Sequence, residues 1–146
     1  MQASQAASLA MHPVSDPQRS MNKFFLRPPH DDLETACAEA AERKLLVFAV
    51  IYDPDHPTRS KLDFSLGYFM EYQTTKRLVD QHFVAMVGPS SDPALSALVP
   101  EDDPLELCLW AVITPDGTIR RREGVYANPD EGLKRVRAVV AKTQAT

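Results

Sequence analysis

Leu45-Leu46-Val47-Phe48-Ala49-Val50-Ile51-Tyr52 (LLVFAVIY, residues 45–52) is the stretch on which the architecture of this chain turns. Its β-branched, aliphatic and aromatic side chains run on with no polar position, so neither face of such a strand is suited to water. A strand of this kind is the central strand of a parallel or mixed sheet, covered on both sides. It is far too short to cross a bilayer, which takes about 20 apolar residues in a helix. Asp53-Pro54-Asp55-His56-Pro57 ends it abruptly. The prolines cannot donate to a ladder, and the aspartates favour turns.

The flanking segments supply the cover. Upstream, Asp31 is read as a helix cap with Glu34 closing a capping box, and Leu33, Ala36, Cys37, Ala40 and Ala41 recur at helical spacing. The small residues predict close packing on the sheet. Arg43 and Lys44 suit the negative end of that helix. Downstream, Ser60–Phe69 is weakly helical around Gly67, Thr74–His82 is a short helix with Leu78 and Val79 inward, and Phe83–Val87 is a second strand. Pro89–Pro100 reads as a loop with one helical turn at Ala94–Leu98. Leu105–Ile113 is expected as a third strand, joined through the turn Thr114-Pro115-Asp116-Gly117 to an antiparallel fourth strand, Thr118–Gly124. Asn128, Pro129 and Glu131 start a last helix whose buried stripe is Leu133, Val136, Val139 and Val140. The order predicts an α/β fold: a four-stranded mixed sheet flanked by helices on both faces.

The bulk numbers agree with one domain. The chain has 146 residues, 44% hydrophobic and 25% charged, with a formal charge of −4 that gives no reason to expect nucleic acid or an anionic membrane as partner. Residues 1–22, rich in Gln, Ser, Ala and Pro, read as a flexible tail, and residues 23–146 as the domain. Phe24, Phe25 and Leu26 are expected to dock the start of the domain onto its body. The two cysteines, Cys37 and Cys108, form no Cys-x-x-Cys pair, which fits buried thiols in a reducing compartment and a cytoplasmic protein.

Three stretches resemble the thioredoxin-like superfamily over roughly residues 31–142. They are Ala40-Ala41-Glu42-Arg43-Lys44-Leu45-Leu46-Val47-Phe48, Thr75-Lys76-Arg77-Leu78-Val79-Asp80-Gln81-His82-Phe83-Val84 and Ala111-Val112-Ile113-Thr114-Pro115-Asp116-Gly117. The flavour is that of the cysteine-poor UAS-type and thioredoxin-7-type branches. The resemblance implies a thioredoxin-like fold, and the departures from it bear on activity. Redox members carry Trp-Cys-x-x-Cys after the first strand, at a helix N-terminus that lowers the thiol pKa. Here that place holds Tyr52 to Arg59 and no thiol. Such members also open the third strand with a cis-proline, whereas the turn register puts Cys108 there and Pro104 four residues earlier. Dithiol oxidoreductase activity is therefore not expected.

Candidate site residues follow from that edge. Asp53, Asp55, His56, Thr58 and Arg59 form a loop at the active-site edge, with Pro104 and Leu105 beside it, and in relatives peptide backbones lie along this edge. Asp53, Asp55 and His56 carry metal-type donors, but two prolines interleave them and no further ligand cluster is evident, so neither a metal nor a cofactor is expected. Asp53 and Asp55 are read first as turn formers. Cys108 is the one possible reactive thiol, although an apolar strand favours a buried one. His82 is read as a helix-end cation and Arg120-Arg121-Arg122 as charges protecting a sheet edge. Tyr68, Phe69, Met70 and Tyr72 are expected mainly in the core, with Trp110. The favoured reading is a non-catalytic protein- or peptide-binding adaptor. The alternatives are a single-thiol or small-molecule enzyme using Cys108 or His56, and a structural subunit docked through Phe24–Leu26.

Overall fold

The apolar run is a strand with a separate core on each face. A computed structural model of the chain describes residues 23–55, 62–103, 105 and 108–144. The strand β1 (Leu46–Tyr52) sends Phe48 and Val50 to one face and Val47, Ala49 and Ile51 to the other. The first face is covered by α3 (Gln73–His82) and α5 (Pro129–Gln144), which bury Val79, Val136 and Val139. The second is covered by α1 (Leu33–Arg43) and the short α4 (Pro93–Ser96). Ala36 and Ala40 of α1 lie in one core with Ala49 and Ala111, so small residues permit the close approach expected of them.

The sheet order is β2-β1-β3-β4, with β2 at Phe83–Pro89, β3 at Leu109–Ile113 and β4 at Ile119–Gly124. β1 runs parallel to β2, with Leu46 opposite Phe83, and antiparallel to β3, with Val50 opposite Trp110. β3 and β4 form a hairpin with a bulge at Val112/Ile113. Its turn places Gly117 at φ 96°, a conformation that favours glycine. On the outer edge of β2, the His30 N–H donates to the Ala85 carbonyl and the His30 carbonyl accepts from Val87 N–H, both at 2.9 Å. Phe24 and Phe25 are buried beside this edge and Leu26 is exposed, so two of the three expected docking residues reach the core.

Local expectations differ in several places. The cap of α1 is Asp32, not Asp31. Its Oδ2 accepts from the Thr35 N–H at 2.9 Å and the Thr35 hydroxyl at 2.6 Å, which leaves Glu34 outside the cap. These bonds hold the Asp32 carboxyl below its usual pKa. Asn128 does cap α5, accepting from Asp130 and Glu131 N–H, but the Glu131 side chain pairs with Arg135 instead of turning back. The third strand begins at Leu109. Leu105 sits at φ 51°, in the left-handed region, so it cannot open a strand there. The weakly helical segment is a π-helical turn, Leu62–Leu66, followed by α2 (Gly67–Phe69). Phe69 and Met70 are buried as expected, but Tyr68 and Tyr72 are exposed, and the Tyr72 hydroxyl donates to Asp130 at 2.7 Å. Gly132 is required where α5 crosses α2, because a Cβ there would lie 2.0 Å from the Phe69 carbonyl oxygen.

Candidate functional site

The C-terminal ends of β1 and β2 and the approach to β3 form one end of the sheet. Asp53 leaves β1 half-buried, and its Oδ1 accepts the Asp55 N–H at 2.9 Å, the turn-forming role read from the sequence. Asp55 is exposed. The Ser90 N–H donates to the Tyr52 carbonyl at 2.7 Å and ties the loop after β2 to the end of β1. Asp103 Oδ1 accepts the Leu105 N–H at 2.8 Å, which holds Leu105 in its left-handed turn. These loops enclose a groove of about 300 Å³ lined by Asp53, Ser90, Ser96, Glu101, Asp103 and Leu105.

The groove brings together Asp53 and Leu105, two candidates 52 positions apart in the chain. His56, Thr58, Arg59 and Pro104 lie outside the described residues. Glu101, Asp103, Ser90 and Ser96 were not among the sequence candidates; the acidic run Glu101-Asp102-Asp103 was the available signal. Three acidic residues line the groove, and two of them, Asp53 and Asp103, also accept backbone N–H groups, so its lining is negatively charged. Among the described residues, no group of three or more His, Cys, Asp or Glu side chains could hold a metal ion.

Cys108 lies at the same end, immediately before β3, with its carbonyl accepting Val125 N–H at 2.9 Å. It is 4% exposed, and its Sγ lies 3.8 Å from the Oγ of Ser65, itself buried in the π-helical turn. Burial pushes the Cys108 thiol up to about 12, the Ser65 contact opposing it only in part. Cys37 is half-buried on α1 and also raised, first by desolvation. Burial disfavours the thiolate form at both positions, far more at Cys108 than at Cys37.

The arginine run divides by face as a strand must. Arg121 turns inward to Glu123 at 2.7 Å, and Glu123 also pairs with Arg135. Arg122 donates to the Leu98 carbonyl at 3.1 Å, a bond the edge-protection reading did not foresee. Trp110 is fully buried, as expected, stacked on Phe48 at 5.3 Å between ring centroids. No helix among the described residues is long and apolar enough to cross a membrane.

No family model matches the chain, and no curated protein does. Among solved structures it is similar to the solution structure of a thioredoxin from Thermus thermophilus, with a TM-score of 0.59 and 17% identity over 78% of this chain and 88% of that one. At that identity the likeness speaks to architecture, and with the sheet order and helix placement it leads to one conclusion: the chain has a thioredoxin-like α/β fold.

Proposed function

We propose that this chain is a non-catalytic binding module, an adaptor of the cysteine-poor UAS or thioredoxin-7 type, that holds an extended, basic protein or peptide segment in the groove at the loop end of the sheet. The observation that carries the reading is the groove itself, which Asp53, Glu101 and Asp103 line together with Leu105. An acidic lining suits Lys or Arg side chains, and the Ser90 and Ser96 hydroxyls can bond a peptide backbone. The buried Cys108 at the same end of the sheet, its thiol pushed up by burial, supports the non-catalytic half of the reading. Two thiols without a disulfide suit a cytoplasmic setting.

The test is a display of random ten-residue peptides on the whole chain, repeated with Asp53→Asn/Asp103→Asn. Enrichment of Lys- and Arg-containing peptides by the wild type, lost in the variant, is the expected result. Equal enrichment by both proteins, or none by the wild type, would remove the groove as a binding surface. Turnover of a disulfide by the chain alone, abolished by Cys108→Ala, would replace the module with a single-thiol enzyme.

A further inference from the structure

The opposite end of the sheet holds a second, differently charged site. A cavity of about 470 Å³ lies at the N-terminal end of β1, where Lys44, His82 and Arg120 meet the hydroxyl-bearing Thr114 and an apolar wall that includes Leu46 and Pro115. The three basic residues come from three elements: the residue after α1, the last residue of α3 and the second residue of β4. None of their side chains has an ion pair or side-chain hydrogen bond among the described residues.

Helix ends account for part of this charge. α1, α3 and α5 all finish at this end, and each presents a partial negative charge that a nearby cation offsets. Arg120, however, belongs to a strand, and its neighbours Arg121 and Arg122 are both bonded while it is not. The hairpin bulge falls where Arg120 is the extra residue, between Arg121 opposite Val112 and Ile119 opposite Ile113, and a bulge re-aims the side chain it inserts. Lys44 suits the end of α1 by its charge, but it occupies the left-handed position there at φ 58°, where glycine is the usual residue. Both exposed residues line the same cavity, and neither has a side-chain partner among the described residues.

We infer that this cavity is a binding site for a small organic anion, a carboxylate or phosphate monoester carrying an apolar group, held by Lys44 and Arg120 against the Leu46–Pro115 wall. The site is separate from the acidic groove and does not depend on that groove binding a peptide.

The test titrates the isotopically labelled full chain with inorganic phosphate, phenyl phosphate and benzoate, following amide shifts. The organic anions are expected to perturb residues 44–46, 82 and 114–120 and to bind more tightly than inorganic phosphate. Arg120→Gln and Lys44→Gly should each weaken binding about tenfold, since each removes a charged hydrogen-bond donor. Lys44→Gly should also leave the melting temperature unchanged or higher, because glycine fits the left-handed position. A lower melting temperature for that variant, with unaltered binding, would assign the ammonium to capping and overturn the site. So would no shift at these residues with any of the three ligands, or binding unchanged in both variants. Equal affinity for phenyl phosphate and inorganic phosphate would overturn the organic-anion assignment. Sedimentation with phosphatidylserine vesicles is expected to leave the protein in solution; co-sedimentation dependent on Arg120 would move the site to a lipid surface and overturn a soluble ligand.

Discussion

The two ends of β1 carry opposite charge, and most of the difference follows from how the helices run. α1 and α5 start at the loop end, where Asp32, Asn128, Asp130 and Glu131 meet their positive ends, and α1, α3 and α5 finish at the other, beside Lys44, His82 and Lys142. Once these are set aside, a few charges remain that no helix requires: Asp53, Glu101 and Asp103 at one end and Arg120 at the other. Charge is expected where helices start or finish; the two proposed sites rest on the charges that helix ends leave over, of which Asp53 and Asp103 also hold local turns.

The contrast would break most visibly if the loop end proved nucleophilic. With the Cys108 thiol pushed up to about 12, its thiolate is about 1000-fold scarcer than for an ordinary thiol, and iodoacetamide should label it at least that much more slowly in the native state than after unfolding. Rapid native labelling would refute the burial argument. Folding keeps this proton in place, so the Cys108 contribution to stability is level below about pH 9 and turns unfavourable as pH rises toward 12. Chemical denaturation across that window should show a loss of up to about 1.4 kcal/mol per pH unit, absent in Cys108→Ala.

The contact between α5 and α2 is open to attack at Gly132. Gly132→Ala drives a methyl group into the Phe69 carbonyl and should cost about 2 kcal/mol in urea denaturation, despite the better helix propensity of alanine. A stabilised variant would mean that α5 can shift. Asp53→Asn/Asp103→Asn sharpens the charge comparison: affinity for a Lys/Arg peptide should fall about tenfold while phenyl phosphate binding at the far end is unchanged. Weakening of both would show that the ends are coupled. The smallest effect is expected from Asn128→Ala, about 1 kcal/mol from the lost cap, read from the same denaturation curves.

The central strand was legible because burial on both faces leaves a continuous apolar run, which no amphipathic element produces. The last helix was legible because Asn128-Pro129 is strong local chemistry. Asp31 and Asp32 are adjacent and equally able to cap, and only the Thr35 bonds distinguish them. The start of β3 was misplaced because Leu105 looks like strand in composition, while Asp103 bonds its amide and turns the backbone left-handed. The π-helical turn has no periodic signature in five residues. Asp53 and Leu105 could be named because a known topology brings those loops together. Lys44, His82 and Arg120 could not be joined, since the sequence reads them singly, as helix-end and strand-edge charges, and only the closed sheet makes them neighbours.

Trp110 is the only tryptophan in the sequence, and it reports on the structure from its centre. Its ring is sealed between Phe48 and Phe69, with no hydrogen-bond partner for its indole N–H among the described residues. An indole in such dry surroundings emits at the blue end of its range and shifts to the red when water reaches it. Each denaturation experiment above can therefore be followed by intrinsic fluorescence without a label. Because the chromophore lies on the face shared by α2, α3 and α5, a partial opening confined to α1 on the other face should be invisible to it. A mismatch between fluorescence and backbone circular dichroism would thus identify which of the two layers came apart first.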